Sequence, residues 1–149
     1  MRRHPALAQL SRDHHQALFI AQRLNRADAS SAQAAADAFR EFWRDHGRLH
    51  FVVEEDLLLP ALAPAGGEER PEVVRTLVEH TAIRRGALEL ADDPAPAPER
   101  LHVLGRLLHD HVRFEERELF VLLENELDDA ALTLLGERVE RGERGEHPV

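Results

Sequence analysis

Apolar residues recur at three- and four-residue steps in four long stretches of the chain, and in each stretch histidine or glutamate interrupts the rhythm. The first stretch, about residues 5–25, reads Leu7, Leu10, His14, Ala17 or Leu18, Ala21, Leu24. The second, about 31–59, reads Phe39, Phe42 or Trp43, His46, His50, Val53 or Glu54, Leu57. The third begins near Pro71 and reads Val73 or Val74, Leu77, His80, Ile83, Ala87, Leu90. The fourth, about 98–125, reads Leu101, Leu104, Leu108, His111, Glu115, Leu119, Leu122. Steps of three and four place such residues on one face of an α-helix, so four amphipathic helices are predicted. No segment alternates with the period of two that a half-buried strand requires.

Helix-breaking residues fall between these stretches. Pro5 suits a first helical turn, and Asp28, Ser30 and Ser31 offer N-caps for the second helix. Pro60, Pro64, Gly66 and Gly67 close the second helix, and Pro94, Pro96 and Pro98 mark a linker before the fourth. Asp128 and Asp129 could open a short fifth helix carrying Leu132, Leu135 and Val139, with residues 141–149 reading as a loose tail. The expected fold is all-α, a single domain over residues 1–149. It is an antiparallel up-down-up-down four-helix bundle with a short C-terminal helix, its long helices about 30 Å in length.

Composition narrows the chemistry. The chain has 149 residues, 43% of them apolar, which suffices for one core. It lacks cysteine, so thiolate sites and iron–sulfur clusters are excluded, and any metal must be held by nitrogen and oxygen. The 19 basic residues, all arginine, face 28 acidic ones for a formal charge of −9, and the arginines form no basic face, which argues against a nucleic-acid partner. No apolar run approaches the roughly 18 residues of a membrane span, and Arg12, Asp13 and His14 interrupt the N-terminal apolar run before a signal sequence can form. A soluble cytoplasmic protein, monomer or homodimer, is expected.

The interrupting residues repeat. A His-x-x-x-Glu pair alone is no more than chance supplies in so acidic a chain. However, His50-x-x-x-Glu54-Glu55-x-x-Leu58-Leu59-x-x-Leu62 matches His111-x-x-x-Glu115-Glu116-x-x-Leu119-Phe120-x-x-Leu123, and each copy has a stripe histidine upstream, His14 and His80. The chain therefore reads as two helical hairpins, each supplying His, then His and Glu. Residues four apart share a helix face with Cβ atoms about 5–6 Å apart. Four helices would thus gather four imidazoles and two carboxylates in one core, where charge must be paired or bound to metal. If both glutamates bridge, each of two ions receives two imidazole nitrogens and two carboxylate oxygens. A solvent-derived oxo or hydroxo bridge makes five donors and leaves one octahedral position for a small ligand. Such a set suits iron, with manganese or zinc as alternatives.

From the opening Leu10-Ser11-Arg12-Asp13-His14-His15 through both His-x-x-x-Glu-Glu helices, the chain resembles the hemerythrin-like (HHE cation-binding) domains. The resemblance implies a bundle holding a non-haem di-iron centre, with Glu54 and Glu115 bridging, His14 and His50 on one iron, and His80 and His111 on the other. It also implies binding, sensing or reaction with oxygen, peroxide or nitric oxide; any enzymatic activity would be redox chemistry at the irons. The oxygen-carrying members have a second histidine one turn on in the third helix. Here that position is Arg84, which shifts the expectation toward redox, sensing or iron-handling roles.

Face geometry sorts the other candidates. His14 continues the apolar stripe, whereas His15 shares a face with Ser11 and Gln22. His46 reads as a polar residue at the bundle mouth, with an added donor to the metal as the alternative. Glu55 and Glu116 lie about 100° from their neighbours and either face solvent or brace a histidine, with a direct bond to the metal as the alternative. His4, His102, His109 and His147 read as surface residues, and Phe39, Phe42, Trp43, Phe51, Phe114 and Phe120 as core. Two other functions compete: iron handling and storage, and a metal-independent helical interaction module. Storage proteins of the ferritin type build their site from Glu and Glu-x-x-His. The order His, His-x-x-x-Glu, taken twice, favours the hemerythrin-like reading.

Overall fold

A computed structural model of the chain describes residues 2–145, and helix is the only regular secondary structure among them. A 3-10 turn, Pro5–Leu7, leads into α1 (Ala8–Asn25), and the His4 ring nitrogen Nδ1 accepts from the Ala6 amide at 3.0 Å to cap that turn. Next come α2 (Ala32–Phe42) and α3 (Arg48–Val53), joined by a π turn, Trp43–Gly47, and followed by another, Glu54–Leu58. Together they make one rod over 32–58. Pro60–Ala65 tightens to 3-10 geometry and stops at Gly66, whose φ of 110° suits a residue without a Cβ. After α4 (Pro71–Ala91), the second composite rod contains α5 (Pro98–Phe114), a π turn (Glu115–Leu119) and α6 (Phe120–Glu126). The last helix, α7 (Asp129–Glu143), is capped by the Asp128 carboxylate, which accepts from the Ala131 amide at 2.8 Å.

The apolar stripes bury into two clusters. One contains Ala21, Leu24, Phe39, Ile83, Leu101 and Leu108, and the other Leu7, Leu10, Leu58, Leu62, Phe120 and Leu135. On α1 and α4 the stripe histidine falls between the segment feeding one cluster and the segment feeding the other, and on the two composite rods it directly precedes the last residue of the first cluster, Phe51 or Val112. A polar belt therefore divides two apolar cores. Helix α1 runs closely along α5 because Gly105 has no side chain: a Cβ there would lie 2.9 Å from Leu24 Cβ and 3.0 Å from the Ala21 carbonyl oxygen.

Two expectations need correction. Leu77 does not face the core. It is 40% exposed, and the third-helix stripe runs Val73, Thr76, His80, Ile83, Ala87, Leu90. Thr76 is tolerated inside because its hydroxyl donates to the Glu72 carbonyl at 2.8 Å. The C-terminal helix also extends past residue 141, through Glu143. Gly142 is buried there, where an added Cβ would stand 3.1 Å from Val53 and 3.2 Å from Leu57, so this end is tied to α3 and the turn after it. His147 lies outside the described residues. No helix among the described residues is long and apolar enough to cross a membrane.

Candidate metal centre

His14, His50, Glu54, His80, His111 and Glu115 all reach the polar belt, and none is more than 7% exposed. His14 is the inward member of its pair, and His15 points to solvent. Both glutamates occupy the first position of a π turn, with the backbone bond running from the Leu59 amide to the Glu54 carbonyl and from the Phe120 amide to the Glu115 carbonyl. The repeat in the sequence is thus also a repeat in the backbone, and widened turns of this kind are frequent at functional sites.

The two carboxylates each divide their oxygens between two pairs of histidines. Glu54 Oε2 lies 3.1 Å from His50 Nε2 and 4.0 Å from His14 Nε2, while its Oε1 lies 3.1 Å from His80 Nε2. Glu115 Oε1 lies 2.9 Å from His14 Nε2, while its Oε2 lies 3.2 Å from His111 Nε2 and 3.6 Å from His80 Nε2. Two overlapping groups result, His14–His50–Glu54–Glu115 and His80–His111–Glu54–Glu115. Within each, one ligand atom per residue lies within 4.8 Å of all the others. Metal–ligand bonds of about 2.0–2.2 Å put opposite donors about 4 Å apart, so each group has the dimensions of a cation site.

Four atoms make the fit specific. Glu54 Oε1, Glu115 Oε2, His80 Nε2 and His111 Nε2 are buried without a hydrogen-bond partner, although they stand within ion-pair distance of one another. Closeness without alignment is the arrangement of donors set around a common ion, and leaving such groups unsatisfied is otherwise costly.

The outward ring nitrogens form a second layer. His50 Nδ1 meets Asp13 at 3.2 Å, His80 Nδ1 meets Glu55 at 2.6 Å, His111 Nδ1 meets Glu79 at 2.8 Å, and His14 Nδ1 meets Glu116 at 2.5 Å. Each rod lends a carboxylate to the histidine of the next, and the last returns to the first. These bonds fix ring orientation and leave every Nε2 facing inward. Glu55 and Glu116 therefore brace histidines. Asp13 and Glu79 were not singled out from the sequence, although each directly precedes a stripe histidine and lies about 100° round the helix from it.

Ionisation follows from these contacts. Burial alone would push the His80 imidazole down, but Glu115, Glu54 and Glu55 outweigh it and hold it at about 10; His111, buried beside Glu115 and Glu79, stands at about 9. His14 and His50 are raised in the same way against burial, by Glu115 and Glu116 and by Glu54 and Asp13. Glu115 is held well below the usual carboxylate range despite its burial, chiefly by His111. Glu143 reaches the belt from α7, where burial and the Asp13 carboxyl push it up to about 7.

Beside the cluster lies a small cavity with about 20 Å3 of space for the centre of a water-sized molecule. Ala17, Phe42, Phe51, Leu108 and Val112 give it an apolar lining, and His14, His50 and His111 border it. His46 is exposed at its edge rather than inside the cluster. His4 and His102 are partly buried instead of free on the surface: His4 also meets Asp129 at 2.8 Å, and His102 Nε2 donates to the Ala27 carbonyl at 2.7 Å.

An all-helical chain with buried imidazole–carboxylate clusters of cation-site dimensions defines a class of helical cation-binding domain. The hemerythrin HHE cation-binding domain family matches the chain over residues 6–123, and the chain belongs to that family. No curated protein and no solved structure matches it.

Proposed function

We propose that this protein holds two iron ions in an antiparallel up-down-up-down bundle and binds, senses or reacts with a small oxygen species or nitric oxide there. The observation that carries this reading is the division of the Glu54 and Glu115 oxygens between His14–His50 and His80–His111, which is the placement two bridging carboxylates need. Four protonated rings and two divalent ions carry equal charge, so cations can replace the ring protons without changing the balance against the surrounding carboxylates. The donor set of imidazole and carboxylate suits iron. When bound, such ions supply electrons and an open coordination position to a small ligand.

The chain's own residues define what that ligand meets. The cavity beside His14 and His50 admits a diatomic or peroxide-sized molecule, and Phe42, Phe51 and Leu108 keep bulk water away. Metal-free chain reconstituted anaerobically with ferrous iron is expected to take up about two irons per chain, and exposure to air is expected to give charge-transfer absorption in the near ultraviolet and visible. A chain that binds no iron and stays colourless contradicts the proposal.

A further inference from the structure

The braces behind the four histidines are not neutralised alike. Behind His80, Glu55 is paired with Arg84 at 2.6 Å, and behind His111, Glu79 is paired with Arg75 at 2.9 Å. Both braces of that half therefore carry their own guanidinium. Behind His14, Glu116 has Ser11 at 2.9 Å and a longer contact to Arg3 at 3.3 Å, and Arg3 holds Glu124 more closely, at 2.7 Å. Behind His50, the other partners of Asp13 are the Gln9 amide at 3.0 Å and the Glu143 carboxyl. Ionised, Glu143 adds negative charge; protonated, it adds none; in neither form does it offset Asp13.

The inner donors of the two halves match, two imidazoles and one oxygen from each glutamate, so the difference lies in this outer charge. Counting every carboxylate those guanidiniums pair with, the His80–His111 half has Glu55, Glu79 and Glu118, the last 3.4 Å from Arg75, against two guanidiniums. The His14–His50 half has Asp13, Glu116 and Glu124 against one. In a partly buried setting, a unit charge several ångströms away changes a cation's binding by about tenfold or more.

We propose that the two halves bind divalent cations with unequal affinity, the His14–His50 half filling first, and that Arg84 and Arg75 weaken the other half. This rests on the two-cation reading above. The cavity borders both histidines of the half that fills first, His14 and His50, and one of the other, His111.

Cobalt(II) titrated into the metal-free chain tests the order. The first equivalent is expected to shift the His14 and His50 ring resonances, and the second those of His80 and His111. Arg84→Gln and Arg75→Gln should each tighten the second step by about tenfold and leave the first near its original value. Arg84→Lys, which keeps the charge, should leave both steps near wild type. A merely structural role predicts the opposite sign, since losing a salt bridge would loosen the site. Two equal steps, His80 and His111 filling first, or a second step weakened by Arg84→Gln would overturn the inference while leaving two cations per chain intact. Failure to bind cobalt at all would overturn both this inference and the two-cation reading.

Discussion

The His80 imidazole lies flat against the Phe51 ring, with centroids 3.7 Å apart and planes 4° apart. Phe51 also meets His111 edge-on at 5.4 Å and Trp43 edge-on at 5.2 Å. One phenyl ring thus orients two of the four histidines and links them to an aromatic column. Phe51→Ala should cost about 3–5 kcal/mol in urea unfolding. Phe51→Leu, which keeps most of the volume, should cost less than Phe51→Ala yet still lower cation affinity, because the His80 ring loses its backing. Equal affinity in Phe51→Leu and wild type would show that the stack does not position the ring.

Stability of the metal-free chain should fall as pH rises. A histidine raised by folding contributes stability that is complete below its unfolded value, about 6.5, and is lost as pH passes through the folded value. For His111 and His80 those folded values are about 9 and about 10. The melting temperature without metal is therefore expected to decline between about pH 6.5 and 10. Glu115 works in the other direction: its contribution is present above the ordinary carboxylate range and disappears as acid titrates it through its lowered value. A metal-free melting temperature that climbs from neutral to alkaline pH would contradict these assignments.

Metal uptake should release protons. If all four imidazoles act as donors through Nε2, each must surrender a ring proton, so release at neutral pH should approach one per histidine. Calorimetry in buffers of differing ionisation enthalpy measures this directly. Uptake with almost no release would mean that the ions sit on carboxylates alone. Chelation should then restore the protonated cluster and lower the melting temperature most strongly at alkaline pH, where that cluster is weakest.

Gly105→Ala tests how tightly α1 and α5 are packed. The added Cβ would stand 2.6 Å from Asn25 Oδ1 and 3.0 Å from the Ala21 carbonyl oxygen, and backbone cannot swing away as a side chain can. A loss of about 1–3 kcal/mol is expected from forcing the helices apart. Unchanged unfolding would show that the two helices separate without cost.

Much of the site could be read from the residues, for a physical reason. A histidine at an apolar step of a helix is expected to face the core, and His14, His50, His80 and His111 do, whereas His46, one turn before His50 on the same stripe, is exposed at the edge. The bracing carboxylates sit one residue beside a stripe position, where an acidic group on the solvent side reads identically. Asp13 and Glu79 show their role only once the next helix brings His50 and His111 against them. The π turns at Glu54 and Glu115 were also hidden, because one extra residue in a turn shifts the stripe by less than its own width. Leu77 and Thr76 show the same limit: one residue of rotation exchanged an apolar candidate for a hydroxyl that bonds its own helix.

The closed circuit of braces separates into two kinds of bond. Asp13 to His50 and Glu79 to His111 stay within one half of the chain, whereas Glu55 to His80 and Glu116 to His14 cross between halves. Each crossing is the counterpart of the other, an acidic residue directly after a core glutamate reaching the first histidine of the opposite half. Two separate copies of a single hairpin could close the same circuit. The connection between the halves therefore tethers what is, at the level of its polar belt, a symmetric pair.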